Sequence, residues 1–297
     1  MPAYSLIDAY DHCLQLAKSH YENFPVASTL LPKHLRQPVA VIYAFARTAD
    51  DIADEGNATN IERLAALDMY STQLKQLEEG KTADNPVFIA LADVVTRHHL
   101  PMPLFHDLLS AFRQDVTKKR YADFPELLDY CRRSANPVGR LLLHLNGDAS
   151  EENLQASDHI CSALQLINFL QDLQQDYHEN DRIYLPQDEM QRFGIDESWL
   201  QERRNDKKMH ALIAFQLQRI EAMMLDGKRL GANLKGRFGV EIRLIIAAGL
   251  KVVEKLSQHR GNVFARPRLG KIDYLHILWQ ALFSRRRFIS QGEPPSF

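Results

Sequence analysis

Cysteine is scarce. The 297 residues hold three, Cys13, Cys131 and Cys161, in no C-x-x-C pair and at no zinc-ligand spacing. That excludes a disulfide framework or a zinc module and fits a reducing compartment. Excess charge is lacking as well: 36 Lys+Arg against 38 Asp+Glu leave a formal net charge of −2, without the basic surplus of a dedicated nucleic-acid binder. Thirteen glycines and thirteen prolines are too few for a collagen-like or linker-dominated chain. No run of 18 apolar residues occurs, and the most apolar tract, Ile245 to Val253, is interrupted by Lys251, so no membrane-spanning segment is expected. The N-terminus meets acidic Asp8 without an apolar stretch, so no signal peptide is read and a cytoplasmic location is expected.

What is present is helical in pattern. Hydrophobic residues make up 45% and charged residues 25%, ordinary globular values. Apolar residues recur at three- and four-residue steps, which predicts helices over 4–19, 33–55, 59–78, 86–98, 103–117, 125–146, 152–178, 207–233, 238–259 and 271–285. Pro137 should kink the sixth of these, and the polar, turn-rich stretch 177–197 reads as the longest connection. With no internal repeat, the expectation is one all-α domain over 1–297, closing with a basic segment 260–288 and a short flexible tail 289–297.

Two segments place acidic residues where their surroundings read as buried. In Val39-Ala40-Val41-Ile42-Tyr43-Ala44-Phe45-Ala46-Arg47-Thr48-Ala49-Asp50-Asp51-Ile52-Ala53-Asp54-Glu55, the residues Tyr43, Arg47, Asp50 and Asp54 step by 4, 3 and 4 and share one helix face. In the second segment, Cys161 to Asp176, the residues Gln165, Asn168, Asp172 and Asp176 step by 3, 4 and 4. Like charges at i,i+4 cost roughly 0.2–0.5 kcal/mol even when exposed, and buried unpaired carboxylates cost far more. Folding alone therefore gives no reason to repeat the arrangement. A hard divalent cation such as Mg²⁺ reverses the sign, because it prefers carboxylate oxygens and commonly shares the phosphates of a substrate. Two facing Asp-x-x-x-Asp helices would cage metal and a diphosphate and assist its departure as a carbocation forms. A solvated helix face is the plain alternative.

The run Tyr43 to Asp54 resembles the first aspartate-rich motif of the squalene/phytoene synthase family. Asn168-Phe169-Leu170-Gln171-Asp172-Leu173-Gln174-Gln175-Asp176, followed by Arg182-Ile183-Tyr184-Leu185-Pro186, resembles its second motif and the loop after it. Ser28-Thr29-Leu30-Leu31-Pro32, Leu127-Leu128-Asp129-Tyr130-Cys131 with Val138-Gly139, and Val263-Phe264-Ala265-Arg266 extend the likeness from about 20 to 270. The resemblance implies an isoprenoid-synthase helical bundle with a central cavity and Mg²⁺-dependent cleavage of a prenyl diphosphate. It implies metal on Asp50 and Asp54, with Asp51 as a ligand or a group behind them, and on Asn168, Asp172 and Asp176. It also implies Arg47 and Arg266 on diphosphate, Phe24, Arg182 and Tyr184 around the substrate, and Tyr43 and Gln165 at the reaction centre.

Asn23-Phe24-Pro25-Val26-Ala27-Ser28 and Ser134-Ala135-Asn136-Pro137-Val138-Gly139-Arg140 look most like the hydroxysqualene synthase branch, in which presqualene diphosphate is ionised and water captures the cation. Glu22 stands where condensing members carry lysine, as expected for a substrate with one diphosphate, and Gly249 stands near the place of a tyrosine in the condensing branch. No Gly-rich dinucleotide fingerprint or strand to carry one is read, so no nicotinamide cofactor is expected. Head-to-head condensation to squalene or phytoene is the alternative, and a non-catalytic binding protein is the second. Among other residues, Phe45 and Phe169 read as core or as cation-stabilising rings, Cys131 and Cys161 as small buried hydrophobes. Seven basic residues in 260–288 against one acid, Asp273, suit peripheral contact with anionic lipid. Upstream and downstream pathway enzymes are further expected partners; nucleic acid is not.

Overall fold

Thr59, Asn85, Ser150 and Asp206 cap helix starts with their side chains, and helix-period apolar residues build the core. The computed structural model describes residues 4–19, 31–258, 262–267 and 269–283, and among these no strand occurs, only an isolated bridge between Arg120 and Ile183. The chain divides into two compact units, residues 1–119 with 129–149, and residues 120–128 with 150–297.

The first unit holds α1 (Leu6–Ser19), α2 (Lys33–Asp54), α3 (Asn60–Glu78), α4 (Pro86–His98) and α5 (Met102–Thr117). It also holds most of α6 (Phe124–Ser134) and all of α7 (Asn136–Asn146). Its centre is α2, which packs against α1, α3, α4, α5 and α7 and buries Leu35, Val39, Val41, Ile42, Phe45 and Ala49. Phe45 is fully enclosed, its ring centroid 5.3 Å from Tyr70, 5.9 Å from Phe88 and 5.3 Å from Phe105. Of its two readings, core packing is the one the structure takes. Thr59 starts α3 with a reciprocal cap: its hydroxyl accepts from the Glu62 N–H at 3.3 Å while Glu62 accepts from the Thr59 N–H at 2.8 Å. Such a box is worth about 1 kcal/mol.

The second unit holds α8 (Glu151–Gln171), α9 (Leu173–Asn180), α10 (Gln187–Arg192), α11 (Ser198–Gln201), α12 (Lys207–Gly227), α13 (Leu230–Asn233), α14 (Gly236–Gln258) and α15 (Lys271–Phe283). Helices α8 and α12 lie close together. A Cβ on Gly227 would fall 2.6 Å from Ile160 Cγ1 and 2.7 Å from the Ala156 carbonyl oxygen, so only glycine allows this approach. Gly249 of α14 faces Met224 and Leu164, whose nearest atoms lie 2.7 and 3.1 Å from an added Cβ. The space beside Gly249 is filled by the Met224 and Leu164 side chains.

Three expected helices are split. The helix read over 125–146 is interrupted at Ala135, two residues before the proline that withdraws an N–H from its ladder. The helix over 152–178 bends at Asp172, whose backbone (φ −104, ψ 15) departs from helical values although its N–H still reaches the Asn168 carbonyl at 2.9 Å. The helix over 207–233 pauses at Lys228 and Arg229. The connection 177–197 contains the end of α9 and all of α10, a six-residue helix too short to show a period in sequence.

Candidate active site

The first acidic motif lies at the C-terminal end of α2. Its organiser is Arg47: Nε lies 2.6 Å from Asp51 Oδ1, Nη1 donates to Asp50 Oδ2 at 3.2 Å, and Nη2 pairs with Glu55. The side chain of Arg47 is only 17% exposed, so the guanidinium sits beneath the carboxylates it serves. Three carboxylates lean on this one guanidinium. Asp54 is exposed on the same face, and Tyr43 is half-buried three turns back. Arg47, expected on diphosphate, here holds the acidic motif itself.

The second motif occupies the α8–α9 bend. Gln165 and Asn168 are half-buried on α8, Asp172 is the residue of the bend, and Asp176 lies in the first turn of α9. The Asp176 N–H donates to the Asp172 carbonyl at 2.8 Å, so the acidic pair stays at one-turn spacing through the bend. Asp172 faces Arg266, with Nε 3.0 Å from Oδ1 and Nη2 donating to Oδ2 at 3.3 Å. Burial pushes the Asp172 carboxyl upward; Arg266 opposes that and Glu179 adds to it. Gln171 donates to the Pro267 carbonyl at 3.4 Å and thereby ties the stretch that carries Arg266 to the end of α8.

The loop after α9 is fixed by a feature that sequence reading missed. Arg120 forms a two-pronged bond to Glu197, Nε to Oε1 at 2.7 Å and Nη2 to Oε2 at 2.8 Å, and Nη2 also donates to Asp181 Oδ1 at 2.8 Å. In sequence, Lys118-Lys119-Arg120 reads either as a solvated charge run or as a layer behind the site, and the partners of Arg120, 61 and 77 residues away, leave no local signal. Asp181 turns the chain in the left-handed region (φ 52), and the Arg182 N–H donates back to the Asp176 carbonyl at 2.9 Å. Tyr184 then stacks on Phe169 of α8, centroids 3.6 Å apart at 6°, and on Tyr121 at 5.7 Å. Arg182 is buried at the start of this loop. Phe24 and Glu22 lie outside the described residues, as does Ser28.

Oxygen donors alone make up both motifs, which suits a hard cation rather than zinc or copper. Among the described residues no three His, Cys, Asp or Glu side chains already converge as a metal cage. The fit of Mg²⁺ rests instead on the counter-charge that each motif recruits. Asp172 Oδ1 is buried without a well-aligned hydrogen bond, beside Arg266 Nε, and Asp50 and Asp51 draw on Arg47. Cationic company is thus already favoured at both places. Cys131 is buried and its thiol is pushed up to about 12 by desolvation, so it takes no part as a nucleophile.

The family model of squalene/phytoene synthases matches residues 17–273 of this chain. The hydroxysqualene synthase of Rhodopseudomonas palustris is 35% identical over 283 residues, 94% of this chain and 95% of that protein. The hydroxysqualene synthase of Zymomonas mobilis is 36% identical over 248 residues, 80% of each. The crystal structure of squalene synthase HpnC from Alicyclobacillus acidocaldarius superposes with a TM-score of 0.80 at 35% identity, covering 86% of this chain and 96% of that one.

Proposed function

The chain belongs to the squalene/phytoene synthase family, a family of prenyl-diphosphate-processing enzymes with an all-α isoprenoid-synthase fold, and from that premise we propose that it is a hydroxysqualene synthase. The reaction is ionisation of presqualene diphosphate with capture of the rearranged cation by water. The C–O bond to diphosphate breaks, and its electron pair leaves with diphosphate. Water oxygen forms the new C–O bond, and its second proton is lost to solvent or diphosphate. One observation carries the reading: aspartates at one-turn spacing stand at the ends of two largely buried helices, each beside an arginine that can pass its hydrogen bonds to a phosphate.

Asp50 and Asp54, with Asp51, would hold Mg²⁺ at the end of α2, and Asn168, Asp172 and Asp176 would hold Mg²⁺ at the α8–α9 bend. A divalent ion held there would supply neutralisation of the charge building on the leaving group. Arg47 and Arg266 supply planar two-pronged donors suited to diphosphate oxygens. Arg182 and Tyr184 border the substrate from the loop that Arg120 anchors. Tyr43 and Gln165, half-buried on the same helix faces as the aspartates, supply a hydroxyl and an amide to the reaction centre. Water serves as acceptor, and no nicotinamide cofactor enters.

The test offers farnesyl diphosphate and presqualene diphosphate separately with Mg²⁺ and no nicotinamide, and reads diphosphate release and product mass. Hydroxysqualene from presqualene diphosphate, abolished in Asp54→Ala and Asp176→Ala, is the expected result. Turnover of farnesyl diphosphate alone to a condensed product would replace this reading with the condensing one. Equal diphosphate release in wild type and both variants would remove the aspartates from the chemistry.

A further inference from the structure

We infer that Asn205, on the loop between α11 and α12, is a positioning residue that sets Arg266 opposite Asp172 and so readies it for a diphosphate. The inference rests on the reading above in one respect, that Arg266 meets diphosphate.

Arg266 has no helix to hold it. It stands in the stretch 262–267 between α14 and α15, with its side chain 45% exposed, and so long a side chain is aimed only as well as the backbone beneath it is fixed. Two side chains from elsewhere fix that backbone, one on each side of Arg266. After it, Gln171 of α8 donates to the Pro267 carbonyl at 3.4 Å. Before it, the Val263 N–H donates to Asn205 Oδ1 at 3.1 Å. Between these anchors the chain turns on Asn262, whose Oδ1 accepts from the Phe264 N–H at 3.0 Å and whose carbonyl accepts from the Ala265 N–H at 3.1 Å.

The loop that carries Asn205 is itself pinned to the second acidic motif. Arg203, with its backbone in the left-handed region (φ 52), donates from Nε to Gln174 Oε1 at 2.7 Å. Gln174 Nε2 donates in turn to the Leu200 carbonyl at 2.9 Å. Gln174 lies on α9 between Asp172 and Asp176. On the other side of Asn205, Asp206 caps α12 by accepting from the Lys208 and Met209 N–H groups, each at 3.0 Å. The loop thus joins the helix of the aspartates to the stretch that bears their arginine.

Chemistry sets which end of the Asn205 amide does this. A backbone N–H can only donate, so the amide presents its oxygen to Val263. His210 Nε2 lies 2.9 Å from the same oxygen and helps to hold that pose. An arginine already aimed loses less freedom when it takes up a phosphate, which is what the tether contributes.

The test is calorimetric titration of the full-length protein with inorganic diphosphate in the presence of Mg²⁺, a binding readout that does not depend on which product is made. Arg266→Ala should weaken diphosphate about tenfold or more, as loss of a charge-assisted donor does. Asn205→Ala should weaken it about fivefold, the worth of one neutral hydrogen bond. Asn205→Asp keeps an acceptor facing the Val263 N–H and should stay close to wild type. In the Arg266→Ala background, Asn205→Ala should have no further effect, because the tether then positions nothing. A merely structural asparagine would instead weaken binding equally with and without Arg266, and that result would overturn the inference. So would wild-type affinity in Asn205→Ala or in Arg266→Ala. The expected binding pattern together with a product other than hydroxysqualene would refute the reaction proposed above and uphold the role of Asn205.

Discussion

Gly227→Ala and Gly249→Ala make the same chemical change on neighbouring helices and should have unequal consequences, one destabilising and one near neutral. An alanine Cβ at 227 would sit 2.6 Å from Ile160 Cγ1 and 2.7 Å from a backbone oxygen of α8, where ordinary contact is about 3.5–4.0 Å. The backbone atom cannot swing aside, so α12 must withdraw from α8 by about an ångström. Overpacking of this kind costs about 1–3 kcal/mol, against a helix-propensity gain of up to about 1 kcal/mol. The expected net loss is about 1–2 kcal/mol. At 249 the closest atom is the terminal Met224 Cε, which can rotate away, so the propensity gain offsets the contact and the variant should be within about 0.5 kcal/mol of wild type. Urea unfolding of the three proteins, followed by circular dichroism, measures both. Gly227→Ala as stable as wild type, or a larger loss at 249 than at 227, would refute the reasoning about where α8 and α12 meet.

Other expectations are as direct. Phe45→Ala should cost about 3–5 kcal/mol, because it empties a ring site enclosed by Tyr70, Phe88 and Phe105; chemical unfolding reads it. Arg120 holds the Glu197 carboxyl below its usual range, mainly through their hydrogen bonds. That stabilisation is present above the ordinary glutamate value, about 4.3, and is lost as pH falls through the lower folded value. A Glu197→Gln variant should therefore be less stable than wild type at pH 7, with thermal midpoints converging in acid. Arg266→Ala removes the partner of a half-buried carboxylate and should lower kcat for diphosphate release at least tenfold, while the helical circular dichroism signal is kept.

The sequence made α2 and α8 legible because their apolar periodicity is long and their acidic stripes break it at regular steps. That spacing singles out Asp50, Asp54, Asp172 and Asp176 as candidates, and the extent of the family likeness was close to the matched residues 17–273. The bend at Asp172 was not legible, since neither proline nor glycine marks it, and its residues favour helix on both sides. Arg266, remote in sequence, pairs with its side chain there. The Arg120–Glu197–Asp181 clamp was hidden for the same reason: an ion pair across 61 or 77 residues leaves no local pattern. Arg47 was visible as a cation on the right face, but not as the group that gathers Asp50, Asp51 and Glu55.

Turnover of presqualene diphosphate in oxygen-18 water, with Mg²⁺ and without nicotinamide, puts the reaction to its sharpest trial. One heavy oxygen in a C30 alcohol, read by mass spectrometry, is the result expected of a cation captured by solvent. An unlabelled alcohol or a C30 hydrocarbon would contradict it.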